Sequence, residues 1–296
     1  YYTAFNTNMA VNELFIDSAT LRDNVVSIAR QLGYRPRSYT SATAYVSFSI
    51  QYSQATSDTE LILKEGTGFV ASFNNKIYQF VTPNNVSAQV VNNLATFNNV
   101  LVREGTLLTN TFVVNSSNKT QRFVLDNRNI DASSIKVEVS ADGSSISEPY
   151  LLSDNILDIN AESKVFFLNE IDDQRYEIIF GDGVIGKKLE DQSSVVVKYI
   201  TTNGPEANGI RTFVFSGVLE NDLGISPAAF DSSVLSAVTA VGGEEAESIQ
   251  EVKFAAPKTF GTQNRAVIAS DYAAIVRNIY PAVGDIIVFG GEEQVP

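Results

Sequence analysis

The sequence predicts an α+β fold, with a helical hairpin at the amino end, a β-rich antiparallel middle region of one or two small domains, and an α+β unit at the carboxyl end. Three observations predict it. Apolar residues recur at helical spacing near the amino end. From about residue 42 the spacing drops to two, in short runs separated by Asn, Asp, Ser and Gly. After Gly242-Gly243 the helical spacing returns, with acidic residues in its first turns, where the positive end of a helix dipole favours them. The expected divisions are residues 1–40 (helical), 41–105 (first β region), 106–215 (second β region) and 216–296 (α+β, reading as cut short).

Taken in order, Phe5, Met9 and Phe15 mark an early helix. Asp17 or Ser18 is placed to cap a second helix, which carries Leu21, Val25, Ile28 and Leu32 on one face, stops at Gly33 and is closed off by Pro36. That stripe needs a partner, either its own domain or another subunit. Tyr45, Phe48 and Ile50 open the period-two stretch, and Leu61, Leu63, Phe69 and Phe73 continue it. Lys64-Glu65-Gly66-Thr67-Gly68-Phe69 reads as a turn into a strand, and residues 77–81 as a strand ended by Thr82-Pro83. Further strand-like runs occupy 100–102, 112–114, 123–125, 135–139, 165–168, 176–180 and 195–200. A helix is expected over 244–256, stopped by Pro257. Another, capped by Ser270 or Asp271, runs through Tyr272, Ile275 and Val276 to about Tyr280-Pro281, and a strand begins at 285–289.

Composition narrows the function. With 44% hydrophobic and 19% charged residues in 296, the chain has the means to build a packed core. A formal charge of −13 opposes phosphate-rich partners, and the densest basic patch is Arg35-Pro36-Arg37, so nucleic-acid binding is not expected. Cysteine and histidine are both absent, which excludes disulfides, a thiolate nucleophile, thiolate or imidazole zinc sites and histidine-based triads. Carboxylate, lysine, tyrosine and oxygen-ligated metal chemistry survive. No apolar run approaches the roughly 18 to 20 residues that span a bilayer, so no membrane-spanning segment is expected. The sequence opens without methionine and inside a helical pattern, which reads as part of a longer polypeptide.

The most conspicuous local feature is Phe180-Gly181-Asp182-Gly183, with Gly186 beyond it and Asn203-Gly204 and Asn208-Gly209 after the next strand. A phosphate loop needs a glycine-rich turn feeding a helix, with lysine and a hydroxyl residue after the last glycine. Here Lys187-Lys188-Leu189 and another strand follow. An EF-hand needs glycine at its sixth position and glutamate at its twelfth; the run from Asp126 has Asp131 and Val137 there, which leaves only an irregular calcium site. Glycoside cleavage needs two carboxylates across a cleft, and sequence spacing selects no pair; Glu244, Glu245 and Glu247 read as a solvated first helical turn. Asn85-Val86-Ser87, Asn115-Ser116-Ser117 and Asn118-Lys119-Thr120 match the glycosylation pattern but read as polar loops. The remaining reading is conformational: Gly181 and Gly183 supply positive φ on either side of an aspartate that bonds nearby amides, making a corner between strands.

Together, Phe180-Gly181-Asp182-Gly183, Gly186, the strand ending at Tyr199, Thr202-Asn203-Gly204 and Asn208-Gly209 resemble the central signature of the baseplate J-like proteins of contractile tails. Three further stretches agree: Leu63-Lys64-Glu65-Gly66-Thr67-Gly68-Phe69; Gly242-Gly243-Glu244-Glu245-Ala246-Glu247-Ser248 with Ala256-Pro257; and Asn264-Arg265-Ala266-Val267 with Asp271-Tyr272 and Tyr280-Pro281-Ala282-Val283. The amino end, with Phe15, Leu21-Arg22, Val25-Val26, Ala29 and Leu32-Gly33-Tyr34, is similar to wedge subunits of T-even-like myoviruses. The resemblance is weakest over about 84–165, and Lys187 stands where relatives often have proline.

The resemblance implies a structural, non-enzymatic virion protein of the phage tail baseplate, assembled in the host cytoplasm, without catalytic residues, metal or cofactor. It implies other wedge proteins as partners and self-association as a dimer or ring. The implied work is to hold wedges together around the tail tube and to repack when the sheath contracts. The glycine turns would be structural, and Leu21, Val25, Ile28 and Leu32 would lie at an interface. A tail-associated carbohydrate-binding or carbohydrate-cleaving module is the alternative from another class, and an injection-system baseplate protein would share the fold.

Overall fold

The computed structural model describes residues 2–54, 56–118, 121–153, 159–227, 229–262, 269–279 and 286–289. Strands are the commonest element among these residues, with a few helices, so the protein is α+β in class. The chain divides into two compact units, one gathering residues 1–38, 170–174 and 246–296, the other 39–169 and 175–245.

The first unit is helical. Its helices are α1 (Tyr2–Asn12), α2 (Arg22–Gln31), α3 (Ile249–Thr262) and α4 (Ala269–Ile279). Val25 and Ala29 of α2 meet Val252 and Ala256 of α3 in a small buried cluster with Ala19, flanked by Ile16, Leu32, Tyr34 and Ile249. Neither Asp17 nor Ser18 caps α2, whose first residue follows Leu21. Instead the Glu13 carboxylate accepts from Thr20 N (2.8 Å), Thr20 Oγ1 (2.6 Å), Leu21 N (3.2 Å) and Asn24 Nδ2 (2.9 Å). An acid from the preceding turn thus fixes the approach to α2, bonding two amides ahead of the helix and the Asn24 side chain within it, without capping the first-turn amides. The bonds from Asn24 and Thr20 hold Glu13 down at about 2 from an ordinary 4.5.

The expected helix over 244–256 is corrected at both ends. It starts at Ile249, because Ser248 and Glu251 form a capping box: Ser248 N donates to Glu251 Oε2 (2.7 Å) and Glu251 N to Ser248 Oγ (3.3 Å). Pro257 lies inside it rather than ending it, at the cost of one backbone hydrogen bond. Residues 286–289 carry no strand, since an apolar run becomes one only by pairing. The Asn264–Val267 and Tyr280–Val283 stretches of the resemblance lie outside the described residues.

The second unit holds two sheets. Six strands come first: β1 (Thr43–Tyr52), β2 (Glu60–Leu63), β3 (Gly68–Phe73), β4 (Lys76–Val81), β5 (Val86–Val91) and β6 (Leu94–Glu104). Seven follow: β7 (Thr106–Val113), β8 (Phe123–Leu125), β9 (Ile130–Ser140), β10 (Ser147–Leu152), β11 (Val165–Ile171), β12 (Arg175–Phe180) and β13 (Ser194–Thr201). Three return: β14 (Val214–Phe215), β15 (Leu219–Asn221) and β16 (Phe230–Ala237). The first sheet runs β14-β3-β4-β6-β5-β2-β15, with β1 pairing both β6 and β16; the second runs β7-β13-β9-β10-β11-β12-β8. Strands after residue 213 therefore rejoin the first sheet.

Alternation drives both cores. Along β1 the even positions 44–52 are buried while Tyr45 is exposed, and a register shift interrupts the β1–β6 pairing between Val46 and Phe48. Phe48 stacks on Phe97 (4.6 Å) and meets Phe69 edge-on (5.2 Å) in the first core. Tyr199, Val195 and Val197 of β13 join Phe166, Ile178 and Leu125 in the second. β10 and β11 run parallel, Leu151 opposite Val165 and Leu152 opposite Phe166.

Candidate functional site

The two sheets are fastened by a carboxylate from each. Glu104 ends β6 and is fully buried. It accepts from Thr202 Oγ1 (2.5 Å), Asn203 N (3.0 Å) and Asn203 Nδ2 (2.6 Å), all just past β13 of the other sheet. Asp131, at the start of β9, is 1% exposed. It accepts from Ser41 N (3.0 Å), ahead of β1, and faces Arg103 Nη1 of β6 at 3.4 Å, while Ser133 N (3.0 Å) and Ser133 Oγ (2.6 Å) fill its other oxygen. Buried charges are tolerated when bonded in this way.

Backbone approaches close the same joint. Gly105, at φ 127°, carries the chain from one sheet to the other, and a Cβ there would lie 2.2 Å from Thr201 O. Asn208 and Gly243 exchange two hydrogen bonds, Asn208 Nδ2 to Gly243 O (2.8 Å) and Gly243 N to Asn208 Oδ1 (2.9 Å), so a side-chain amide imitates a strand pair. Beside them Thr40 and Glu244 exchange backbone bonds (3.0 and 3.1 Å), as do Thr43 and Val241 (2.8 and 3.0 Å). The Thr202–Gly209 and Gly242–Gly243 segments, separate in the sequence, are therefore one structure. Asn203, Gly204, Asn208 and Gly209 all belong to it, Gly204 and Gly209 with φ of 63° and 91°.

The loop at 180–186 is a second, separate turn. Asp182 Oδ1 accepts from Val184 N (2.9 Å) and Ile185 N (3.0 Å), and Gly183 N donates to Gly186 O (3.1 Å). The bonds from Ile185 and Val184 hold the Asp182 carboxyl below its ordinary value. Amides that would cradle an anion are thus engaged by the loop's own carboxylate. Gly183 and Gly186 have positive φ, but Gly181 does not: its glycine is required because a Cβ would sit 2.2 Å from Gly186 C and O. The positive-φ reading of Gly181 is corrected accordingly. Phe180 anchors the loop edge-on to Phe123 (5.3 Å) and Tyr150 (5.7 Å), and Val184 at the tip is 73% exposed.

Glu247 is not a solvated helical acid. It precedes α3, accepts from Tyr34 Oη at 2.7 and 2.8 Å and from Arg37 N at 3.1 Å, and burial together with that carboxylate raises the tyrosine's pKa far above its usual range. Of the four expected interface residues, Val25 is buried against α3, Ile28 and Leu32 are half-buried, and Leu21 is exposed, as are Leu14 and Phe15 of the preceding turn.

Among the described residues no three acidic side chains gather as metal ligands, and no helix is long and apolar enough to cross a membrane. A surface hollow of about 460 Å³ is lined by Gln51, Gln89, Val91, Asn92, Leu94 and Thr96, with neither the aromatic residues nor the paired carboxylates a sugar-cleaving cleft uses. Sequence reasoning missed Glu104 and Asp131. Their signal was a lone acid at the end of an apolar strand pattern, legible only with the partner strand in place.

The described residues thus form two sheets pinned to each other and, as a unit of its own, a set of helices. The relation is to baseplate wedge subunits of T-even-like contractile-tailed phages, as the sequence resemblance implied. The particular relative is baseplate wedge protein gp6 of Enterobacteria phage T4, 26% identical over 294 aligned positions that cover 93% of this chain and 43% of that protein. The chain therefore spans less than half the length of the curated relative it matches. No protein-family profile matches the chain.

Proposed function

We propose that this chain is a structural part of a phage tail baseplate wedge, assembled in the host cytoplasm and carried in the virion, with other wedge proteins as partners. The observation that carries the reading is the relation to a baseplate wedge protein along nearly the whole chain. The joint supports it, because the Glu104 and Asp131 carboxylates are taken up by groups of the opposite sheet and act by holding two sheets in register.

The helical unit supplies the contact surface. Its own cluster is small, whereas Leu14, Phe15 and Leu21 are 70%, 62% and 59% exposed. An exposed apolar set of this kind marks an interaction site. The amino-terminal helices thus join a bundle shared between subunits, as a dimer or ring around the tail tube, and that bundle repacks between two arrangements when the sheath contracts. Phe15→Asp with Leu21→Asp is expected to abolish copurification with wedge proteins while the urea transition of the β unit stays unchanged. Copurification at the parental level overturns the reading.

A further inference from the structure

The sequence contains two Asn-Gly dipeptides, Asn203-Gly204 and Asn208-Gly209, and both lie in the joint. Asn-Gly is chemically labile. The glycine nitrogen, unhindered by a Cβ, loses its proton and attacks the asparagine Cγ; a C–N bond closes a succinimide ring and the side-chain nitrogen leaves as ammonia. Water then opens the ring to aspartate or isoaspartate. Attack requires a glycine N–H free of other partners and a side-chain amide free to turn over it.

In the closed joint neither requirement is met at either site. Gly204 N donates to Thr202 Oγ1 (3.0 Å), while Asn203 Nδ2 is held by Glu104 (2.6 Å). Gly209 N donates to Ala240 O (2.8 Å), while both ends of the Asn208 amide are tied to Gly243 (2.8 and 2.9 Å). Three of these four groups bond across the joint, Asn203 Nδ2 to Glu104, the Asn208 amide to Gly243 and Gly209 N to Ala240 O, so deamidation must undo bonds that keep the joint closed.

We propose that Asn203 and Asn208 are deamidation sites gated by this joint: inert while it is closed, reactive once it opens, and unable to close again after conversion. The last property follows from the product. Aspartate at 203 sets a second carboxylate against buried Glu104, and like charges at such range oppose one another. Aspartate at 208 replaces the donor facing Gly243 O by an acceptor. The joint is then a one-way element, whatever assembly the chain serves.

The test follows conversion at each site by peptide mass spectrometry with isoaspartate detection, in the chain kept folded and in the chain held in urea, at mildly alkaline pH. Both sites are expected to convert slower in the folded chain by about tenfold or more, as for groups that react only through an opened state. Asn208→Asp, which builds in one converted site, is expected to lower the urea midpoint and to speed conversion at Asn203. Equal rates in folded and urea-treated chain, or an Asn208→Asp protein with the parental midpoint and parental conversion at Asn203, overturns the proposal.

Discussion

The loop at 180–186 and the loop at 202–209 each follow a strand of the second sheet and each turn on glycine, yet their hydrogen bonds run to different places. In the first, Asp182 serves amides two and three residues ahead. In the second, Thr202 and Asn203 serve a carboxylate 98 and 99 residues back, and Asn208 serves Gly243, 35 residues ahead. The first loop makes one distant bond, Gly186 N to Asn160 O (3.1 Å), but the Asp182 turn at its tip is closed by the loop's own groups. A loop that satisfies distant groups is a fastening, and its loss releases whatever it held.

The largest effect that separates the two is expected from Glu104→Ala. It removes the acceptor of buried Thr202 Oγ1 and of two donors on Asn203, which reaches in from the surface, and should destabilise the β unit by about 2 to 3 kcal/mol in urea titration. A loss below about 1 kcal/mol would remove the contrast between fastening and self-contained turn. Next comes a matched pair of glycines. A Cβ on Gly243 would lie 2.2 Å from Gly204 O, and one on Gly181 the same distance from Gly186 C and O. Gly243→Ala must push two fixed segments apart and should cost about 2 to 3 kcal/mol, whereas Gly181→Ala distorts one surface turn and should cost about 1 kcal/mol. Equal costs in the same denaturant series would mean that the surface loop is also a fastening.

This contrast also governs how much of the molecule was legible in the sequence. The Asx-type turn at Asp182, the period-two strands and the α2 stripe depend on neighbours within a few residues, and the sequence displays them. Asp17 and Ser18 do not cap α2, because the chain runs on to Leu21 before the helix begins and Glu13 ties down that approach. The α3 start was placed too early because Glu244 and Glu247 look like first-turn acids until Thr40, Tyr34 and Arg37 are brought beside them. Glu104 and Asp131 were invisible for the same reason in a stronger form. An isolated acid in a strand pattern acquires its role only when another sheet arrives, and no local spacing encodes that. The Thr202-Asn203-Gly204 and Gly242-Gly243 segments were noticed separately, and their union required the fold.

The smallest expected effect lies in the self-contained turn and concerns pH. Asp182 is held below the ordinary aspartate value of 3.8 by the Ile185 and Val184 amides. A carboxyl with a depressed folded pKa contributes stability that is fully present above its unfolded value and is lost as pH falls through the folded one. The turn should therefore hold at neutral pH and loosen only below 3.8. Hydrogen exchange at the Val184 and Ile185 amides is expected to quicken across that acid window relative to the intrinsic rate, while the Gly204 and Gly209 amides of the joint do not follow it. Asp182→Asn keeps an oxygen acceptor in place and should abolish the acid response with little change at neutral pH. If the joint amides quicken with the same midpoint as Val184 and Ile185, the two loops share one opening and the surface turn is coupled to the fastening after all.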